Sequence, residues 1–465
     1  MTSFTHDTYI SPFTWRYSNS KMREIYSEKH KRILLRKIWI ALASAQKEAN
    51  LVTQKQLEEL LAHKTDIDIE RATEIESKIH HDLMAEIKTY AEQCPNAAAI
   101  IHMGATSMDI LDNMDAIRIK EALEIVINKS KELLSLYVDK MKEFKNLPCM
   151  AFTHIQPAEP TTVGYRIAQS AQDLIDDIKE LELVQKDIKG KGMKGAVGTA
   201  ASYSELLKGT NLNPKEMEDI VMNKLKIKAF NAATQVYTRK QDLRVVNALS
   251  NLACTLYKFF IDFRLLQSPP IGEWSEPFGK NQVGSSAMPF KRNPINSEKI
   301  DSLCRFISSQ ANTLWQNSAQ TLLERTLDDS ANRRIVLPNS FLAIDEVLIT
   351  SIKVVSNMNI HKTAIERNMK SYGIFAASER LLMELGRNGA NRQEMHELIR
   401  EHSLKAWKEV QEGKENTLKE NLINDKVILK YVSKDKANDL LNADEYIGDA
   451  PLRVQMVIDE ALKVL

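Results

Sequence analysis

Apolar residues recur at intervals of three, four and seven positions along much of the chain, which is the pattern of amphipathic α-helices. Between residues 110 and 146, for example, Leu123, Val126 and Leu133 share one face of such a helix. Pro148 follows soon after, and a proline disrupts the helix that contains it. The pattern therefore predicts a long helix that ends before Pro148.

The same periodicity predicts several further helices. They are expected over residues 21–63, from Pro160 to about Ile188, from Arg239 to Pro269, from Ser297 to Leu322 and over about residues 338–357. The helix that ends at Pro269 is apolar over more than one stripe, so we expect it to be buried on several sides, as in the core of a helical bundle. A smaller and more polar helical region runs from His361 to Leu465. The pattern as a whole predicts an all-α protein.

Composition sharpens this expectation. The chain has 465 residues, which suggests two or three domains, and its 15 glycines and 13 prolines are few enough to favour long helices over hairpins. A net charge of +1 gives no global field that would favour nucleic acid or an anionic membrane. An anionic substrate would therefore be held by local arginines and lysines.

The cysteines and the hydropathy pattern indicate the cellular location of the protein. Four cysteines lie far apart and form no CxxC pair, namely Cys94, Cys149, Cys254 and Cys304. We therefore expect no structural zinc site and read them as reduced thiols of a cytoplasmic protein. No apolar run approaches the roughly 20 residues that a membrane span needs, so no membrane association is expected.

One long segment, from Gly284 to Glu298, has no helical period inside this helical chain, which is typical of a functional loop. Its small residues leave backbone N–H groups free to converge on an anion. Ser285 or Ser286, beside such donors and Lys291, could act as a base or nucleophile. A surface loop with solvated charges explains the same residues equally well.

Two further motifs carry polar chemistry. His80, His81 and Asp82 lie in a helical stretch, where adjacent histidines point about 100° apart and do not easily share a metal. They suit contacts to a ligand or a neighbouring chain, or are plain surface residues. Thr106 and Ser107 directly precede a long helix, where an anion can bind, although ordinary capping also explains them.

Three isolated candidates remain open between function and structure. His154 lies in a break between two predicted helices, where it suits proton transfer, although a hydrogen-bonded structural histidine is slightly favoured. Arg16 and Tyr17 suit a phosphate clamp, although an anchored terminus is the safer interpretation. The glycine-rich segment 190–202 has neither the spacing nor the preceding strand of a nucleotide-binding loop, which leaves a flexible loop lining a site as one possibility.

The segment 325–334 is dense in groups that bind anions. Arg325, Ser330 and Arg334 are spaced to share one face, and arginine forks suit phosphate or carboxylate. A charge-paired turn is the alternative, because Asp328 and Asp329 could satisfy the arginines.

Taken in order, these motifs resemble the fumarase/aspartase superfamily over nearly the whole chain. The matching motifs are Arg16-Tyr17, His81-Asp82, the HxGxTS run from His102 to Ser107, Thr153 to Pro157, Gln235, the GSSxMPxKxN loop from Gly284 to Asn293, and TLDDSANRR from Thr326 to Arg334. One such motif is weak evidence, but the ordered set is highly specific.

The resemblance implies an all-α fold of three domains: an N-terminal helical domain over 1–108, a central bundle of five long helices over 109–358, and a C-terminal helical domain over 359–465. It further implies that the bundles assemble as the core of a homotetramer and that each active site draws on three chains. No metal or organic cofactor is expected.

The resemblance also implies an activity, the β-elimination of fumarate from a succinylated purine nucleotide. The expected substrates are adenylosuccinate, which gives AMP, and succinyl-aminoimidazole-carboxamide ribotide. Ser285 matches the general base, His154 the general acid, and Lys291 and Asn293 the holders of the carboxylate that takes on charge. The other matching ligands are Arg16, Tyr17, His81, Asp82, His102, Thr106, Ser107, Gln235, Arg325, Ser330 and Arg334, with Ser286 and Glu298 in support.

One residue departs from the family pattern, and two rival readings remain. His80 stands where the family usually has arginine, so this substrate contact would gain charge only when the imidazole is protonated. Argininosuccinate lyase, fumarase and aspartase are the nearest rivals, but their substrates carry no phosphate for the arginines to hold. A non-catalytic scaffold protein is disfavoured because both Ser285 and His154 are present.

Overall fold

A computed structural model describes residues 7–465 of the protein, and helices account for most of them. The α-helices are α1 (Pro12–Trp15), α2 (Ser20–Ile25), α3 (Glu28–Glu48), α4 (Gln54–Ala62), α5 (Ile69–Ile79), α6 (Asp82–Gln93), α7 (Ser107–Phe144), α8 (Val163–Asp187), α9 (Ala201–Leu206), α10 (Pro214–Leu225), α11 (Lys240–Gln267), α12 (Ile295–Ala319), α13 (Asp328–Asn357), α14 (Lys362–Asn368), α15 (Ile374–Arg387), α16 (Arg392–Gln411), α17 (Leu418–Ile423), α18 (Lys434–Leu440) and α19 (Ala450–Val464). The predicted all-α class is confirmed.

Strands are few and short in the described part of the chain. They pair as β1 (Pro148–Thr153) with β2 (Gln156–Thr162), β3 (Lys189–Gly190) with β4 (Lys228–Ala229), and β5 (Trp274–Ser275) with β6 (Asn359–Ile360). The antiparallel β1–β2 hairpin occupies the place where the sequence predicted only a break between helices.

The five long helices α7, α8, α11, α12 and α13 correspond to predicted helices, but the start of α13 and the helix predicted over 21–63 need correction. The helix predicted over 21–63 is the three helices α2, α3 and α4. Ser27 caps the start of α3 with its side chain, and the left-handed Asn50 precedes Thr53, which caps the start of α4. The helix predicted from about residue 338 begins ten residues earlier, at Asp328, and contains Pro338 in its interior. Pro338 has no N–H to give the Arg334 carbonyl, so one helical hydrogen bond is missing there.

The described chain divides into two compact units. The first comprises the residues up to Ser130, Asp177–Cys254 and Ser302–Ile349. Its core includes Trp39 of α3, which lies 6.2 Å from the Tyr90 ring of α6 between ring centroids. The three-domain boundaries expected from the sequence stay a prediction.

The second unit comprises Lys131–Asp176, Thr255–Asp301 and Thr350–Leu465. Aromatic rings fill one part of its core, where Phe259 lies 4.9 Å from Tyr137 and 6.0 Å from Trp274 between ring centroids. A second apolar cluster is formed by the helices from α15 to α18 and includes Leu381, which is fully buried.

Within residues 7–465, one helix, α13, is long and apolar enough by composition to cross a membrane, which the sequence pattern had not indicated. In its most apolar window, 72% of the residues are buried within the protein, as in the core helix of a globular fold. Over the same residues, no group of three or more His, Cys, Asp or Glu side chains is placed to hold a metal ion.

Candidate active site

Most of the predicted substrate ligands lie around one cavity in the first unit, with a volume of about 620 Å³. The predicted residues that line it are His80, His81, Asp82, Thr106, Ser107, Gln235, Arg325, Ser330 and Arg334. They come from four separate stretches of sequence, and the fold brings them together.

The hydroxyl groups of Thr106 and Ser107 lie at the N-terminus of α7, a helix of 38 residues. The buried carboxylate of Asp109 holds this end, because it accepts a hydrogen bond from the Thr106 N–H at 3.1 Å. Exposed N–H groups and the positive end of the helix dipole favour an anion at such a position. Thr106 and Ser107 are therefore suited to a carboxylate or phosphate of the substrate.

The glycine-rich segment 190–202 holds Asp109 in turn. Lys191, fully buried, donates to Asp109 at 2.6 Å, and the Gly195 N–H donates to the same carboxylate at 3.2 Å. Lys194 pairs with the buried Glu218 of α10. The interpretation of this segment as a flexible loop was therefore incomplete, since its lysines are buried in ion pairs.

Two positions of this segment require glycine, because neighbouring atoms leave no room for a side chain. A Cβ at Gly198, where φ is +88°, would lie 1.8 Å from the Ala233 carbonyl oxygen. A Cβ at Gly192, where φ is +86°, would lie 2.1 Å from a carboxylate oxygen of Glu218. Larger residues would therefore clash with Ala233 at position 198 and with Glu218 at position 192, and the positive φ angles add backbone strain.

The His80-His81-Asp82 run is the joint between α5 and α6. His80 ends α5 in the left-handed conformation, with φ of +55°. His81 caps α6, and its Nδ1 accepts from the Met84 N–H at 3.2 Å. Because Nδ1 accepts this bond, the capping form of His81 carries its proton on Nε2.

Asp82 contacts one of the predicted phosphate ligands directly. Its carboxylate lies 3.1 Å from Arg334 Nη2, and the Arg334 side chain remains 63% exposed. Burial acts to raise the pKa of Asp82, but the Leu83 N–H bond and the nearby Lys31 and Arg334 outweigh it, so that this pKa lies below its usual value. Asp82 is therefore an anion that orients Arg334 without covering it.

The segment 325–334 includes the start of α13 and is held in place by the buried carboxylate of Asp329. Asp329 receives the Arg239 Nε–H at 2.6 Å and the Arg325 Nη1–H at 2.9 Å. The charge-paired alternative thus applies to Arg325, while Ser330 and Arg334 lie one turn apart on the helix and face the cavity.

Sequence reasoning missed three cations at the cavity, namely Lys31, Arg118 and Arg333. Arg333 is largely buried, donating to Asp242 at 2.7 Å and to the Tyr237 hydroxyl at 2.9 Å. Consecutive helical residues point about 100° apart, so the Arg333-Arg334 pair itself signals that one arginine is structural.

Three predicted ligands in the first unit lie outside the cavity lining: Arg16, Tyr17 and His102. Hydrogen bonds fix the backbone immediately after Arg16 and Tyr17. The buried Asp345 carboxylate accepts from the Ser18 hydroxyl at 2.7 Å and from the Asn19 N–H at 2.8 Å.

The second unit carries the two predicted catalytic residues. His154 lies at the exposed tip of the β1–β2 hairpin, where Thr153 pairs with Gln156 and leaves a two-residue loop. Both loop residues are left-handed, with φ of +53° at His154 and +61° at Ile155. Asn-Gly is the usual choice for such a turn, and a β-branched residue there is strained.

The loop from Gly284 to Glu298 surrounds the Ser285 oxygen with backbone donors. Ser285 Oγ accepts from the Ala287 N–H at 3.3 Å and the Met288 N–H at 3.1 Å. Hydrogen bonds of this kind stabilise negative charge on an oxygen. Ser286, by contrast, is exposed at the loop surface.

Other loop residues brace this arrangement. Asn293 donates its amide to the Gly284 carbonyl at 3.2 Å, and the exposed Lys291 closes a turn from Met288. Glu298 lies 3.6 Å from Arg264. Glu276, which the sequence did not single out, caps α12 at the end of the loop, and its carboxylate accepts from the Ser297 N–H at 2.6 Å and the Ser297 hydroxyl at 2.7 Å.

Comparison with known proteins identifies the family. A family model described as "Lyase" matches residues 3–308, and a model described as "Adenylosuccinate lyase C-terminus" matches residues 375–457. The chain is 40% identical to adenylosuccinate lyase of Schistosoma mansoni over 90% of its own length and 88% of that protein. It is 37% identical to adenylosuccinate lyase of Saccharomyces cerevisiae, over 98% of this chain and 95% of the relative.

Solved structures with lower sequence identity share the fold. The crystal structure of 3-carboxy-cis,cis-muconate lactonizing enzyme from Pseudomonas putida matches with a TM-score of 0.86 at 20% identity, over 97% of this chain and 99% of that one. Fumarate lyase from Mesorhizobium sp. BNC1 matches with a TM-score of 0.83 at 19% identity, over 97% and 99% of the two chains. The fold, the ordered motifs and the full-length relatives agree: the chain is a lyase that belongs to the adenylosuccinate lyase family.

Proposed function

We propose that this lyase splits adenylosuccinate into AMP and fumarate, and that it acts in the same way on succinyl-aminoimidazole-carboxamide ribotide. The observation that supports this most is the single cavity that holds both an arginine-rich helix start, with Ser330 and Arg334, and the α7 N-terminus, with Thr106 and Ser107. The first group suits a phosphate and the second a succinyl carboxylate, which are the two ends of such a substrate.

The chemistry begins with proton removal next to a carboxylate. That proton is a very weak acid, so the dianion formed on its removal must be stabilised. We assign Ser285 as the base, because backbone N–H groups already converge on its oxygen. Lys291 and Asn293 hold the carboxylate that takes on charge, and Glu298 and Ser286 support the loop.

Elimination also needs an acid at the other end of the breaking C–N bond. His154 is assigned this role, since its imidazole lies at an exposed two-residue turn and imidazoles are common general acids. Cleavage of the carbon–nitrogen bond then releases fumarate, and the nitrogen that takes the proton stays on the second product, which for adenylosuccinate is AMP. No metal or organic cofactor takes part in this scheme.

The remaining assignments complete the nucleotide site. Arg16, Tyr17, His80, His81, Asp82, His102, Gln235 and Arg325 are proposed as further substrate ligands. The chain is proposed to be a cytoplasmic homotetramer whose active sites draw residues from more than one copy.

The direct test is the ultraviolet spectrum of adenylosuccinate mixed with the purified protein. Cleavage changes the purine absorbance and releases one fumarate per nucleotide, whereas argininosuccinate, which lacks a phosphate, is expected to stay intact. Absence of any spectral change with the assembled protein refutes the proposal, and cleavage of argininosuccinate alone supports the rival lyase.

A charge variant tests the nucleotide site. Arg334→Met is expected to raise KM by about tenfold to a hundredfold, because a charge-assisted hydrogen bond is lost. Arg387→Met is the matched control, since Arg387 is an exposed arginine on α15 in the second unit and should leave KM unchanged. An unchanged KM in Arg334→Met would remove Arg334 from the site.

A further inference from the structure

His102 and Trp39 form a pair that the proposed mechanism does not explain. His102 is half-buried in the turn before α7, with a left-handed backbone at φ of +69°. The Trp39 indole Nε1–H donates to His102 Nδ1 at 3.1 Å. The two rings meet edge to face, with centroids 6.2 Å apart and planes at 81°.

The chemistry of the indole fixes the proton on the imidazole. An indole N–H is only a donor, so His102 Nδ1 must be the acceptor and the ring proton must sit on Nε2. A doubly protonated imidazole would point an Nδ1–H at the indole N–H, and two donors repel. The bond therefore favours one neutral tautomer and opposes the cation.

The surroundings act in the same direction. Burial lowers the pKa of His102 to about 4, an effect that Asp109 opposes and His81 reinforces. Asp109 belongs to α7, and His81 caps the start of α6. Trp39 itself is 1% exposed, so water does not replace its hydrogen bond.

The turn is also held rigidly against this donor. Gln46 lies two helical turns after Trp39 on α3, and its amide donates to the Met103 carbonyl at 2.8 Å. From the other side, the Ser202 hydroxyl donates to the Gly104 carbonyl at 2.8 Å. Helix α3 thus fixes both the backbone of the turn and the imidazole that it carries.

We propose that Trp39 is a positioning residue that holds His102 as a permanently neutral Nε2–H donor for an anionic oxygen of the substrate. His102 lies outside the cavity lining but beside His81, which lines the cavity, so the oxygen that it would meet lies at the margin of the cavity. A neutral imidazole donates a directed hydrogen bond without adding a charge that must be desolvated each time substrate binds. This inference rests on the proposed function for the identity of the substrate. The state of the imidazole, however, does not depend on that function.

Solid-state 15N NMR of the sedimented full-length protein, labelled at histidine, tests the state of the ring directly. His102→Gln serves to assign the signal among the ten histidines. We expect the His102 signal to be that of the neutral Nε2–H form and to stay unchanged from pH 6 to pH 8. A cationic ring or an Nδ1–H tautomer at pH 7 would overturn the proposal, whether or not the protein cleaves adenylosuccinate.

Trp39→Phe tests the role of the indole, since it keeps an aromatic ring and removes only the donor. His102 should then show mixed tautomers or titrate between pH 6 and pH 8, and KM for adenylosuccinate should rise about tenfold, in line with one lost hydrogen bond. Leu42→Ala on the same helix is the control for lost packing, because Leu42 is also buried. It should lower stability while leaving the NMR signal and KM as in the unmodified protein.

A second comparison guards against a purely structural effect. His102→Gln places an amide N–H near the position of Nε2–H, so Trp39→Phe should have little additional effect on KM in that background. Full additivity of the two changes, or an unchanged His102 signal in Trp39→Phe, would refute the role given to Trp39.

Discussion

Ser285 and Ser286 carry the same hydroxyl group, but their surroundings differ. The Ser285 oxygen accepts two backbone N–H bonds within the turn, whereas the Ser286 side chain points to the exposed surface of the loop. The sequence alone left both serines as candidates, because backbone donors that converge on an oxygen become visible only in three dimensions. This local difference is the reason to assign the base to Ser285.

The two serines can be separated by a matched pair of variants. Ser285→Ala should reduce kcat by about a hundredfold or more, because it removes the hydroxyl group that is the proposed base. Ser286→Ala should have a smaller effect, of about tenfold or less. Steady-state rates with adenylosuccinate measure both, and equal losses would contradict the assignment.

His80 lines the cavity, where an arginine would hold an anionic substrate with a permanent charge. His80→Arg should therefore lower KM for adenylosuccinate, and His80→Ala should raise it. Steady-state kinetics measures both changes, and a KM that is unchanged in both variants would exclude a contribution from His80.

At the scale of elements, the glycine-rich segment 190–202 illustrates the limit of sequence patterns. Its glycines correctly indicated an irregular segment. Its lysines, however, pair with Asp109 and Glu218, and Asp109 lies 82 residues away in the chain. No local pattern predicts such partners, which is why the sequence leaves a flexible loop as one possibility for this segment.

Removal of the buried ion pair between Lys191 and Asp109 should cause a large loss of stability. Burial lowers the pKa of Lys191 despite its bond to Asp109. Lys191→Met leaves the Asp109 carboxylate buried without its cation, which should reduce the free energy of unfolding by about 3–5 kcal/mol. Lys228→Met is the control on the neighbouring strand β4, because Lys228 is exposed. Urea unfolding followed by circular dichroism measures both changes, and similar midpoints would show that the pair contributes little.

The start of α13 should loosen in acid. Burial acts to raise the pKa of Asp329, but Arg239 and Arg325 outweigh it, so this pKa lies below its usual value. The ionised Asp329 therefore stabilises the folded state above the unfolded pKa of about 4, and this contribution disappears as pH falls through the lower folded pKa.

Hydrogen exchange in residues 328–334 measures this effect. Protection should fall between pH 5 and pH 3, after correction for the pH dependence of intrinsic exchange. Asp329→Asn is the control, because it lacks the titrating group and should show low protection at both values. Protection that persists to pH 3 in the unmodified protein would contradict the prediction.

The long helices were predictable because their apolar period extends over many turns, as in α7 and α11. The start of α13 could not be predicted in this way, because Asp328 and Asp329 favour a turn and Pro338 favours a helix start. The buried Arg239 and the neighbouring Arg325 satisfy the Asp329 carboxylate, while Asp328 is exposed, and this tertiary compensation is invisible in the local sequence. The β1–β2 hairpin was missed for a similar reason, since His154-Ile155 is an improbable sequence for its turn.

At the scale of the whole molecule, the site residues are distributed between the two units. The cavity and the proposed substrate ligands that line it belong to the first unit, whereas His154 and the Ser285 loop belong to the second. The family motifs nevertheless extend over nearly the whole chain. The resemblance adds a prediction that the sequence periodicity does not contain, which is that one active site draws on several copies.

Mixing two inactive variants tests this assembly. If Ser285 and His154 of one site come from different chains, oligomers reassembled from Ser285→Ala and His154→Ala subunits contain some sites in which both residues are intact. Activity should then return to a substantial fraction of that of the unmodified protein. Each variant reassembled alone is the control, and a mixture that stays inactive despite forming mixed oligomers would refute sharing of these two residues.

The left-handed turn at His154 and Ile155 has a consequence for protein engineering. Two consecutive residues in a conformation that suits Asn-Gly cost on the order of 1–3 kcal/mol each, so the fold is less resistant to heat than its packing permits. A selection for heat tolerance alone should therefore favour Asn or Gly at these two positions. The selected variants would have a higher melting temperature, but a substitution at position 154 would remove the proposed acid, so we expect thermostability and turnover to be opposed within this turn.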